Sequence, residues 1–150
     1  MDDAPRRLKD GPDQTVTTAQ LRQSVLRDLG WLLNTSNLTT LEDLSSTPLV
    51  AKSTLNFGIP SLVGLLESHS KTGMLERDLA DAIRAFEPRI RPDTLRVRAR
   101  TLNENSATPA LVFHIEGELW AQPAPLQLFI ETTIEIETRQ AVVTEVREVR

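Results

Sequence analysis

The 150-residue sequence contains no cysteine. That excludes a disulfide scaffold, a thiolate metal site and a cysteine nucleophile. It also suits a reducing compartment. Tyrosine is absent too, and four Phe and two Trp are all the aromatics there are. So few rings do not make the stacking platforms that hold single-stranded nucleic acid. Positive charge is not in excess, since 17 Lys and Arg face 21 Asp and Glu, a net charge of −4. Nucleic-acid affinity rests mostly on positive charge, so no nucleic-acid partner is expected. Two His and no dense carboxylate cluster leave little to hold a metal. No apolar run approaches the length of a membrane span, which argues against membrane insertion. Met1 to Pro12 is charged and lacks the apolar core of a signal peptide. The expected location is the cytoplasm.

What is present suffices for one folded domain. Hydrophobic residues make up 39% and charged residues 25%, and a chain of this length buries a core without staples. Residues 1–16, rich in Asp, Arg and Pro, read as a disordered leader. Residues 17–146 read as the single domain and 147–150 as a tail.

The first helix starts at Thr17, because Thr17 and Gln20 have capping-box spacing. Leu21, Val25, Leu29 and Leu32 recur at helical intervals. Asn34-Thr35-Ser36-Asn37 stops it, since these side chains compete for backbone hydrogen bonds. In Ser53 to Pro60, Ser53 caps a short turn, Gly58 ends it and Pro60 opens the next piece. Leu55 and Phe57 are expected to plug the core there. One glycine does not make a phosphate loop, so no cofactor is expected at this turn. Leu62 to Leu66 is a short amphipathic segment. The clearest helix carries Leu75, Leu79, Ile83 and Phe86 on one face, and Pro88 ends it.

Period two then takes over. Leu95, Val97, Ala99 and Thr101 alternate with Arg96, Arg98 and Arg100. Leu111, Phe113, Ile115 and Leu119 alternate with polar residues. So do Leu126, Leu128, Ile130, Thr132, Ile134 and Ile136, against Gln127, Glu131, Glu135 and Glu137. Residues 141–146 add a short fourth strand or extend as a tail. The fold class is α+β: N-terminal helices packed on one face of a small antiparallel sheet of three to four C-terminal strands.

The Arg96–Arg98–Arg100 and Glu131–Glu135–Glu137 rows pair if their strands are neighbours. Otherwise they form a solvated face. A glycosidase needs two facing carboxylates of different acidity. Glu87 sits at a helix end beside Arg89, which suits a salt bridge rather than a general acid. Glu116, Glu118, His69 and His114 stand in no recognisable catalytic spacing, so no catalytic residue is assigned. Glu87-Pro88-Arg89 has two readings: a helix stop with a surface ion pair, or a turn that offers its charges to another chain. A Glu at a helix C-terminus is disfavoured by the dipole, which suggests that it serves a partner, but spacing alone leaves both readings open.

These residues carry a family resemblance. Leu32-Leu33-Asn34-Thr35, Ser53-Thr54-Leu55-Asn56-Phe57-Gly58-Ile59-Pro60, Ile83 to Ile90 with its Phe86-Glu87-Pro88-Arg89 core, and Ile115 to Leu119 together resemble TssE. This is the baseplate subunit of the type VI secretion system, related to a phage baseplate wedge protein. The likeness covers residues 20–143 in order; Phe57 stands where Tyr is usual. It implies a non-enzymatic structural subunit whose partners are the wedge subunits TssF and TssG, the contractile sheath subunits and a spike-bearing hub. It implies contacts to the wedge through Glu87, Pro88 and Arg89. The family has been labelled lysozyme-like, which makes peptidoglycan hydrolysis the alternative. The strand carrying Leu126, Leu128, Ile130, Ile134 and Ile136, if it lies at a sheet edge, would take a strand from a sheath subunit.

Overall fold

Thr17 opens the first helix as its spacing requires. Its hydroxyl accepts from the Gln20 amide, and the Gln20 side chain accepts from the Thr17 amide, closing the capping box both ways. The computed structural model describes residues 16–61, 72–102, 110–135 and 137–147. The leader before Val16, Leu62 to Leu66, His69, Asn103 to Pro109, Ile136 and the tail after Arg147 lie outside the described residues.

Helix α1 is Thr18–Leu33, α2 is Pro48–Ala51 and α3 is Thr72–Phe86. Single 3-10 turns occupy Leu38–Thr40 and Thr54–Asn56. Strands β1 (Arg96–Leu102), β2 (Ala110–Leu119), β3 (Leu126–Glu135) and β4 (Ala141–Glu145) follow. They form one antiparallel sheet in the order β1-β2-β3-β4. This is the expected α+β arrangement, and residues 141–145 make its fourth strand.

The core lies between the helices and the inner face of the sheet. Val25, Leu29, Leu32 and Leu33 of α1 and Leu75, Leu79 and Ile83 of α3 meet Phe113, Ile115, Leu119, Leu128, Ile130 and Ile134. Each such side chain contributes roughly 1.5–3 kcal/mol by leaving water. Gly58 ties the helical half together. It adopts φ 128, and a Cβ there would lie 2.4 Å from the Thr35 carbonyl oxygen. Only glycine lets the Ile59 amide reach Thr35 O at 2.8 Å and the Asn37 amide reach Ile59 O at 3.0 Å.

Several expectations are corrected. The long strand β3 is not an edge: it pairs with β2 on one side and β4 on the other. Ile130 and Ile134 therefore sit beside β4, whose pairing runs from Ile130 to Ile134, whereas Leu126 and Leu128 lie past the end of that pairing. The arginine and glutamate rows are not neighbours either. Strand β2 separates them, so Arg96 faces Glu116, and Arg98 and Glu131 both face His114. Strand β3 ends at Glu135, and Glu137 lies in the turn beyond it. Phe57 is half-buried as expected, but Leu55 is 71% exposed.

Candidate functional site

Helix α3 delivers Glu87 to the protein interior. Its last turn closes when the Glu87 amide donates to Ile83 O at 2.8 Å. Phe86 packs edge-on against Phe57, with ring centroids 5.3 Å apart. Pro88 then sits second in a four-residue turn closed by the Ile90 amide on Glu87 O at 3.2 Å. Proline suits that position because its ring presets φ. Beyond the turn the chain runs beside the end of β2. The Trp120 amide donates to Arg89 O at 2.9 Å, and the Arg91 amide to Glu118 O at 2.8 Å.

The Glu87 residue is only 2% exposed. A buried carboxylate is costly unless its oxygens are occupied, and here they are. Oε1 accepts from the Arg89 amide at 3.1 Å and from Arg89 Nε at 2.7 Å; Oε2 accepts from Arg89 Nη2 at 2.6 Å. The same Nη2 donates to Asp28 Oδ2 on α1. Asp28 Oδ1 in turn accepts from Arg27 Nε at 2.9 Å. Arg89 is thus gripped by carboxylates from two helices. Its guanidinium is held protonated more firmly than a free arginine, first by the Glu87 hydrogen bond acting against burial, then by Asp28. Burial raises the Asp28 carboxyl, but the hydrogen bonds and charges of Arg27 and Arg89 outweigh it and hold it below the ordinary value.

The spacing singled out Glu87, Pro88 and Arg89 but not their setting. Glu87 is buried, Pro88 is exposed, and Arg89 keeps a third of its side chain in water. Asp28, 61 residues from Arg89 in sequence, was missed. So were two exposed tryptophans, Trp120, whose amide bonds Arg89 O beside the turn, and Trp31, one helical turn past Arg27 on α1. Arg27 stacks over Trp31 at 5.0 Å, and Arg91 over Trp120 at 5.3 Å. Each tryptophan is 61% exposed. For Trp31 the available signal was Arg27 one helical turn before it; Arg91 lies far from Trp120 in sequence, so nothing local marked that pair.

The chemistry of this node is structural. Both oxygens of Glu87 are committed to Arg89. Glu118, the next carboxylate along β2, is paired with Arg91 at 3.0 Å. Among the described residues, no group of three His, Cys, Asp or Glu could hold a metal ion. No described helix is long and apolar enough to cross a membrane.

Residues 19–124 match the family model described as baseplate wedge protein gp25. The chain belongs to this family. The match takes in α1, the Gly58 turn, α3 with its Glu87–Arg89 node, and β1 and β2. No curated protein matches the chain, and no solved structure does. Membership in the baseplate wedge family gives it a structural role in a baseplate, among other baseplate components. That role accords with a node whose carboxylates are all paired.

Proposed function

We propose that the chain is a wedge subunit of a type VI secretion baseplate in the cytoplasm. It joins TssF, TssG and the spike-bearing hub, and its sheet docks the first layer of the contractile sheath. The observation that carries this reading is the Pro88 turn. A buried ion pair holds it rigid and leaves its tip exposed, beside the exposed Trp120, whose amide bonds Arg89 O. Preorganised turns bind at low entropic cost, and aromatic side chains next to arginine make strong interface anchors.

Co-purification with TssF and TssG tests it. Pro88→Ala combined with Trp120→Ala leaves Glu87 and Arg89 in place, and should abolish recovery of the wedge while the variant stays folded. Full recovery and normal secretion would show that the turn is only a helix stop. The sheath contact is a strand pairing at an edge of the sheet, now β1 or β4 rather than β3. The alternative of a peptidoglycan hydrolase finds no support in Glu87, whose oxygens accept from Arg89 rather than facing a substrate. Turnover of purified peptidoglycan that disappears in Glu87→Gln would overturn the structural reading.

A further inference from the structure

Both edges of the sheet carry side-chain bonds from the helices. On β4, Asn34 Nδ2 donates to Ala141 O at 2.9 Å, the Ala141 amide donates to Asn34 Oδ1 at 2.8 Å, and Arg22 of α1 pairs with Glu145. On β1, the Ala99 amide donates to Glu76 Oε1 of α3 at 2.7 Å. The arginine row on the outer side of β1 carries nothing of the kind. Val97 and Ala99 pack against the core, so Arg96, Arg98 and Arg100 point the opposite way, and all three are exposed. Among the described residues none of the three pairs with a carboxylate, whereas Arg22, Arg27, Arg84, Arg89 and Arg91 each do. Register does not explain the difference, because Glu116 stands directly across from Arg96. Arg98 is not answered either: across from it stands His114, whose own buried Nδ1 has no hydrogen-bond partner.

We propose that the outer face of β1 is a docking strip for an extended segment of a partner protein that carries a carboxylate at every second residue. Alternate residues of a strand lie about 7 Å apart on one face, and an extended partner repeats at the same interval. Each of its carboxylates can then take two N–H groups of one guanidinium. The positive row is only one strand wide. Glu116 on β2 and Glu131 on β3 share its face. A broad anion, such as a nucleic-acid backbone or an anionic lipid surface, would meet those carboxylates beside the arginines. A helix is about 10 Å across and neighbouring strands are about 4.8 Å apart, so a helix over the row would cover Glu116 as well. A single extended chain stays over the arginines. The contact runs through side chains and takes no backbone bond from the sheet, which separates it from pairing at an edge.

Fluorescence anisotropy on the full chain tests this. The probes are a labelled peptide of alternating glutamate and threonine, and an isomer of the same composition with its glutamates in one block. The alternating peptide should bind more tightly than the block isomer, and its affinity should fall as salt rises. Arg98→Ala should weaken it about threefold, the size of one exposed ion pair. Arg96→Ala, Arg98→Ala and Arg100→Ala together should abolish it, with a urea titration showing that this variant is folded. Arg77→Ala, which removes an exposed arginine of α3, should change nothing. Equal binding of the two isomers, full binding by the triple variant, or no binding of either peptide overturns the proposal. Tighter binding to phosphatidylserine vesicles than to the alternating peptide also overturns it, in favour of a membrane surface. Sedimentation velocity on the wild type alone covers the remaining occupant. Self-association that the triple variant loses would put a second copy of this chain on the strip and overturn the proposal.

Discussion

The Glu87–Arg89 turn and the Arg96–Arg100 strand lie close in sequence and are both rich in charge, yet they do opposite things. In the turn, every charge is answered within the chain. Glu87 is buried, and Arg89 bridges it to Asp28. In the strand, Arg96, Arg98 and Arg100 are exposed, and only Arg96 has a carboxylate directly across, on Glu116. Residue type does not separate the two. What separates them is the backbone under them: a helix end aimed inward against a strand with one face in water. A buried charge fixes geometry, whereas an exposed row stays free to meet solvent or a partner.

The largest break in that contrast is Glu87→Ala. It leaves Arg89 without its main acceptor. Removing one partner of a buried pair costs about 3–5 kcal/mol, and the lower end applies because Arg89 is partly wet. A urea titration should show it. A loss below about 1 kcal/mol would place the node with ordinary surface pairs. Asp28→Asn is milder, about 1 kcal/mol at neutral pH, since the amide oxygen still accepts from Arg89. Its pH dependence sharpens the comparison. Because the native Asp28 carboxyl lies below its ordinary value, its contribution is complete above the unfolded value. It fades as pH falls below about 4, down through the native value. The gap between Asp28→Asn and wild type should therefore narrow in acid; a gap that widens would reverse the assignment. Arg98→Ala is the smallest, within about 0.5 kcal/mol by the same titration. A larger loss would mean that the row is structural after all.

Local signals were legible where local physics decides the outcome. The Thr17 cap, the apolar faces of α1 and α3, the stop at Pro88 and the alternation in all three long strands follow from neighbours in sequence. What escaped depends on contacts made at long range. Nothing near Asp28 marks it as the second acceptor of Arg89. Nothing in β3 says that β4 will cover its far side, so its long alternating pattern looked like an edge. Leu55 shows the limit of hydropathy, because a leucine in a tight turn faces outward when its neighbour Phe57 takes the inner position. Asn34 was read as a helix stop, and it is one: its amide and its side chain both donate to Gly30 O. Its second task on β4 had no local trace.

That second task has a consequence for the order in which the chain is made. Asn34 and Ala141 are 107 residues apart. A ribosome delivers α1 early and β4 late, so the first helix waits for the last described strand before its terminal amide is fully engaged. Until then the end of α1 is held by the bonds of Asn34 to Gly30 O and by the Gly58 turn through Thr35, and nascent chains cut short of β4 leave β3 uncovered. The same amide that completes the sheet therefore also reports that synthesis has passed β4.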